Sequence, residues 1–222
     1  MIFVIEYKMK VVSYSYNENL NLEEQVAYCA RVSNPTSQEN GLNNQKLLSY
    51  LIHHGHWSPF EMVSLCLEIE TSRDIARQIL RHRSFSFQEF SQRYATPSLD
   101  FHIREARLQD TKNRQNSVLT KDADLKEKWK QMQEMAALSS HQAYTWAIQN
   151  GIAKEQARVV LPEGMTKTRM YMNGTLRSWI HYIQSRSGED TQKEHREVAI
   201  GCASAIEPLF PMILQFMKTI EK

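Results

Sequence analysis

Apolar residues fall at alternate positions in short early runs and at three- and four-residue spacing over most of the remainder, so strands are expected first and helices later. Ile2–Ile5 and Lys10–Tyr16 read as two strands joined by a tight connection, the second ended by Asn17-Glu18-Asn19. Asn21 then caps a helix. Glu24 completes the capping box, and Leu22, Val26, Cys29, Ala30 and Val32 form the inner stripe. The polar stretch Ser33–Gly41 reads as a loop, and Asn43–His54 as a helix with Leu47, Leu48, Leu51 and Ile52 inward, stopped by Gly55. His56–Glu61 is a turn held by Pro59. Met62–Ile69 is a strand. Thr71 or Ser72 opens a third helix with Ile75, Ala76, Ile79 and Leu80 inward and Gln78, Arg81 and His82 near its exit, beyond which the chain continues as loop.

Pro97–Leu119, low in apolar residues, reads as an irregular connection. Asp124–Asn150 is a long helix whose stripe of Trp129, Met132, Met135, Ala136, Ser139, Ala143, Trp146 and Ala147 suits a core or a subunit interface. A short helix over Lys154–Val160 stops ahead of Pro162, Thr166–Met172 alternates like a strand, and Asn173-Gly174 turns the chain into a helix over Thr175–Arg186. Helices over Thr191–Ile206 and Leu209–Ile220 finish the chain. Early strands and late helices make the fold class α+β: a small early β-sheet with several helices, in a single domain over residues 1–222.

Charge narrows the function. The 27 Lys and Arg are nearly balanced by 25 Asp and Glu, so any basic site is local, which favours a small anionic ligand over a nucleic-acid polymer. The three cysteines, Cys29, Cys66 and Cys202, lie far apart with neither zinc spacing nor a disulfide framework, and read as reduced core residues of a cytoplasmic protein. The N-terminus lacks a basic lead before a long apolar region, and no window approaches membrane-spanning length, so no membrane is expected as partner. His53, His54 and His56 beside Glu61 lack the spacing of a metal site, and none is expected. No Gly-x-Gly-x-x-Gly or P-loop occurs.

The chemistry concentrates in Arg81-His82-Arg83-Ser84-Phe85-Ser86-Phe87-Gln88-Glu89-Phe90-Ser91-Gln92-Arg93, which holds three arginines and no lysine. Guanidinium is a planar fork that meets phosphate oxygens or a uracil edge in two contacts at once, where ammonium is a mobile point charge. Cations complementing a helix C-terminus would account for Arg81 to Arg83. They leave Glu89, Ser91 and Arg93 unexplained, at alternate positions that suit an extended segment presenting one face.

The spacing Arg-His-Arg-x-x-Ser-x-x-x-x-Ser-x-Arg resembles the signature of the flavin-dependent thymidylate synthases. Two further patterns fall in the family's order: Ala30-Arg31-Val32-Ser33, and His56-x-Ser58-x-x-Glu61. The likeness continues more loosely through Gln156-Ala157-Arg158 with Leu161-Pro162, Arg177, and Arg186 with Glu194. Family members often carry asparagine where Thr175 stands and histidine near Asp190. The resemblance implies reductive methylation of dUMP to dTMP without a cysteine nucleophile, with 5,10-methylenetetrahydrofolate as carbon donor and NADPH reducing FAD. It implies dUMP contacts from Gln78, Arg81, Glu89, Ser91, Arg93, Arg158 and Arg186. It implies FAD contacts from Ser33, Ser58, Arg81, His82, Arg83, Glu89, Thr175, Arg177 and His181. Catalytic roles fall to Arg186 and His56, and the assembly would be a homotetramer with sites between subunits. A different class stays open: a single-stranded nucleic-acid module using Arg81–Arg93 with Phe85, Phe87, Phe90 and Tyr94 as stacking platforms, against which the near-neutral charge argues.

Overall fold

A computed structural model describes residues 7–218. The expected strand over 2–5 lies outside them. Strand β1 (Lys8–Tyr14) pairs antiparallel with β2 (Ser64–Ser72), slipping register between Val11 and Ser13. The sheet continues antiparallel through β6 (Lys167–Thr175) to β3 (Ser86–Glu89), in the order β1-β2-β6-β3. Along β6 the side chains of Thr168, Met170 and Met172 are buried at alternate positions, the period that puts one face on a core. Helices α7 (Leu176–Arg186) and α8 (Lys193–Ile206) cover that core with Trp179, Ile180, Ile183, Val198, Cys202 and Ile206, all fully buried. The Trp179 indole N–H donates to the Leu65 carbonyl at 3.1 Å, satisfying the polar atom that its burial would otherwise strand.

Local signals explain most boundaries. Asn21 and Glu24 cap α1 (Leu22–Ala30) reciprocally, as the sequence predicts, although Val32 is exposed. Helix α3 (Asn44–His53) ends where Gly55 takes a left-handed φ of 68°. The stretch expected as a loop contains α2 (Pro35–Asn40), because Asn34 accepts from the Ser37 amide and Pro35 is preset for a first helical position. Helix α4 (Arg73–Ile79) follows β2 directly.

The arginine-rich stretch is not all loop: Ser86–Glu89 is recruited to the sheet edge by the ladder with β6. The region expected to be irregular holds a hairpin of β4 (Arg107–Gln109) and β5 (Ser117–Leu119). Its turn is tied by Asp110, whose carboxylate accepts from the amides of Lys112 and Asn113. The terminal helix is replaced, among the described residues, by 3₁₀ turns over Pro211–Phe216. Pro211, whose ring cannot sit in a helix interior, opens them.

Helix α5 (Ala123–Gln149) forms as expected, but Trp129, Met132, Met135 and Trp146 are exposed, while Gln133, Ser140, Tyr144 and Ala147 are buried. Tyr144 and Ala147 join Ala157 of α6 (Lys154–Ala157) and Leu161 in a second, smaller apolar cluster.

Asn173-Gly174 was expected to be a turn and lies inside β6, paired with Leu65 and Cys66. The glycine serves close approach: a Cβ at Gly174 would stand 2.4 Å from Phe85 Cδ1, and that ring is packed on Trp179 at 4.9 Å between centroids. Gly174→Ala is therefore expected to lower stability by about 1–3 kcal/mol through overpacking, read as a lower midpoint in chemical denaturation. An unchanged midpoint would mean that the Phe85 ring moves freely.

Candidate active site

Arg81, His82 and Arg83 follow the last turn of α4, the two arginines exposed and His82 half-buried. Among the described residues, no ion pair involves Arg81 or Arg83, so both are available to an anion. His82 is committed. The Nε–H of Arg186, at the C-terminal end of α7, donates to His82 Nε2 at 3.1 Å, joining residues 104 positions apart. An accepting Nε2 requires a neutral ring with its proton on Nδ1. Burial, with Arg186 beside it, holds the His82 pKa down to about 4, which keeps the ring in that form at neutral pH.

Behind this pair lies a partly buried chain of hydrogen bonds. Tyr182, one turn before Arg186, packs edge-on against His82 at 4.9 Å and meets His195 Nε2 through its hydroxyl at 3.2 Å. His195 Nδ1 is 3.2 Å from Gln78 Oε1, and Gln78 Nε2 donates to Gln192 Oε1 at 2.8 Å. Gln192 Nε2 donates to Glu194 Oε2 at 2.9 Å, and the other Glu194 oxygen accepts from Arg107. Burial pushes the Glu194 carboxyl up, but hydrogen bonds from Arg107 and Gln192 outweigh it and hold the pKa low. Burial, then Arg186 and His82, lower His195 to about 3.

Glu89 sits on β3 beside β6. It is held by the Arg73 guanidinium at 3.2 Å and accepts from the Thr168 hydroxyl at 2.9 Å. Past the strand, Ser91 Oγ accepts from the Arg93 amide at 3.3 Å. Arg93 and Arg158 are exposed and flank one residue: Arg93 Nε is 3.6 Å from the Glu155 carboxylate, and Arg158 Nε donates to the Glu155 carbonyl at 3.3 Å.

A third group gathers at the start of α7. Arg177 donates to Glu61 at 2.6 Å, and the His181 ring packs edge-on against Trp57 at 4.7 Å, next to the exposed Ser58. Burial, then Arg177, lowers the His181 pKa. Thr175 caps α7, its hydroxyl accepting from the Ser178 amide at 3.3 Å. Asparagine is an equally good cap, so the departure from the resembled pattern leaves the helix start intact. Asp190 pairs with Lys218 at 3.2 Å. Ser33 and His56 are exposed, and among the described residues no hydrogen bond joins either to the Arg186 group.

Of the residues predicted from sequence, the fold brings Gln78, His82 and Arg186 together, sets Ser91, Arg93 and Arg158 side by side, and groups Ser58, Arg177 and His181 at one helix start. Arg73, Tyr182 and His195 escaped the sequence reading. A signal for two of them exists: Trp179, Tyr182, Ile183 and Arg186 share one helical face, and Arg73 lies one turn before the buried Ala76. A charged residue on such a stripe implies a buried partner.

Residues 11–212 match the family described as thymidylate synthase complementing protein. A flavin-dependent thymidylate synthase from Synechocystis sp. is 52% identical over 196 residues, covering 88% of this chain and 89% of its own. A probable flavin-dependent thymidylate synthase from Paramecium bursaria Chlorella virus 1 is 49% identical over 191 residues, covering 86% and 88%. The crystal structure of the UMP/dUMP methylase PolB from Streptomyces cacaoi, bound with 5-Br dUMP, superposes with a TM-score of 0.82 at 24% identity, covering 97% of this chain and 96% of that one. That last likeness is one of fold.

Proposed function

The chain belongs to the thymidylate synthase complementing protein family, and from that membership we propose that Gln78, His82 and Arg186, with the arginines at 81, 83, 93 and 158, form its dUMP and flavin site. Its activity is that of a flavin-dependent thymidylate synthase, the reductive methylation of dUMP to dTMP. The observation that carries the site assignment is the His82–Arg186 hydrogen bond, which joins the arginine-rich signature to the C-terminal part of the resemblance.

FAD fits the donors this chain offers. Arg81 and Arg83 are exposed cations without carboxylate partners among the described residues, suited to a diphosphate, and His82, Arg177 and His181 add flat or planar groups. Ser33, Ser58, Glu89 and Thr175 complete the set taken from the resemblance. When bound, the flavin supplies the hydride. The other co-substrates are 5,10-methylenetetrahydrofolate, approaching by His56, and NADPH.

The chain's own residues bind and polarise. Arg93 and Arg158, with Ser91, hold the phosphate of dUMP. The Arg186 guanidinium, fixed at Nε by His82, turns its two remaining nitrogens to the uracil edge and favours a ring that has lost its N3 proton, which makes the ring a better nucleophile. Burial raises the pKa of both Cys66 and Cys202, which argues against either as a thiolate nucleophile. We read the chain as one domain over 1–222 acting as a homotetramer. In support, among the described residues no hydrogen bond joins the three residue groups to one another, and α5 exposes Trp129, Met132, Met135 and Trp146 as a face for another subunit. No helix among the described residues is long and apolar enough to cross a membrane. A cytoplasmic location suits the reaction.

Anaerobic mixing of the reduced, flavin-loaded protein with dUMP and methylenetetrahydrofolate should yield dTMP; its absence would overturn the reading. Arg93→Lys should weaken dUMP binding by roughly 1.5–3 kcal/mol while leaving flavin binding nearly unchanged, because a point charge replaces a two-pronged contact. Titration of dUMP into the flavin-loaded variant measures this, and an unchanged dissociation constant would remove Arg93 from the phosphate site.

A further inference from the structure

The hydrogen-bond chain behind Gln78 can run in only one direction, and the direction is set at its far end. Glu194 is a carboxylate paired with Arg107, so both its oxygens accept. Gln192 must therefore face it with Nε2, which leaves Gln192 Oε1 toward Gln78. Gln78 in turn must give Nε2–H to Gln192, which turns its own Oε1 toward His195. Only a protonated Nδ1 satisfies that oxygen, so the neutral His195 ring carries a bare Nε2 that accepts from the Tyr182 hydroxyl. Burial keeps Tyr182 protonated as that donor. Reversing the Gln78 amide would set oxygen against oxygen at Gln192, or force Gln192 to turn its oxygen on Glu194.

We propose that Tyr182, His195, Gln192 and Glu194 are positioning residues that lock the Gln78 amide with its oxygen turned to His195 and one N–H left without a protein partner among the described residues, and that this N–H makes Gln78 a determinant of uracil over cytosine. The inference rests on the reading of Gln78 and Arg186 as neighbours of the pyrimidine. The Arg186 guanidinium carries donors and no acceptor atom, so it and the Gln78 N–H meet the ring edge as donors. Uracil answers with two carbonyls. Cytosine replaces one of them with an amino group, whose hydrogens would oppose the Gln78 N–H. A Gln78 free to turn would accept from that amino group and lose the distinction.

The test uses flavin-loaded protein in two variants. Glu194→Gln removes the carboxylate that sets the direction; Tyr182→Phe keeps the ring volume and removes the donor to His195. Each is titrated with dUMP and with dCMP, and the imidazole ¹⁵N shifts of His195 are recorded in wild type and variants. The wild type should show His195 as the neutral Nδ1–H tautomer and prefer dUMP, and in each folded variant the preference should fall about tenfold, the factor expected for one hydrogen bond. A purely structural role would weaken both nucleotides equally and leave their ratio alone. An unchanged ratio in both variants, or a wild-type His195 protonated at Nε2, would overturn the lock. Wild-type protein that binds neither nucleotide would instead overturn the site assignment beneath it.

Discussion

Replacing Arg186 by alanine should slow dTMP formation by about 10²–10³-fold at saturating dUMP, the loss that follows removal of one aimed donor from a charged transition state. The reason is geometric. His82 takes the Arg186 Nε–H, which fixes the plane of the fork and leaves its other two nitrogens without a protein partner among the described residues. If the fork strengthens its hold as negative charge develops on the uracil ring, its removal lowers turnover as well as affinity. Arg186→Lys keeps the charge without the fork and should fall between wild type and Arg186→Ala. NADPH oxidation by the flavin-loaded protein needs no activated uracil and should survive better. Both rates are measured on one preparation: equal losses, or undiminished dTMP formation, would assign the activating role to another residue.

The largest expected loss of stability lies at Arg73, a residue that belongs to the fold more than to the ligand. Its side chain is 7% exposed and faces Glu89, itself 14% exposed, at 3.2 Å. Arg73→Met would leave that carboxylate buried with only the Thr168 hydroxyl, and breaking one side of such a pair costs about 3–5 kcal/mol. The contact of Arg73 with Glu163 adds little, since Glu163 is half exposed. Combining Arg73→Met with Glu89→Gln removes the uncompensated charge and should restore much of the loss. Denaturation midpoints of wild type, single and double variants form the test. A single variant as stable as wild type would mean that water reaches Glu89 freely.

Legibility followed the range of the cause. The capped helix after Asn21 and the stop at Gly55 are decided by residues within a turn of each other, and both could be read directly. Arg81–Arg93 announced a site through residue types. Its alternation from Glu89 onward suggested extended chain, but not that the strand is Ser86–Glu89, because that placement is set by the ladder to β6, some eighty residues away. The same holds for Gly174, whose absent side chain answers to Phe85, and for the hairpin around Asp110. Around the proposed site, the groups with recognisable chemistry stand out in the sequence and the side chains that support them do not. His195 and Tyr182 sit within apolar stripes, where sequence alone does not separate a satisfied core residue from one that orients a neighbour.

Strand β3 also makes the spacing within Arg81–Arg93 matter. Ser86 and Gln88 face solvent while Phe87 and Glu89 turn inward, so the segment between Arg83 and Ser91 has a parity. One residue gained or lost there would exchange the two sides, bringing Gln88 or Phe90 over Arg73 and turning Glu89 outward. Such a chain would retain every arginine, serine and histidine of the signature and still lose their arrangement: the motif counts residues as well as naming them.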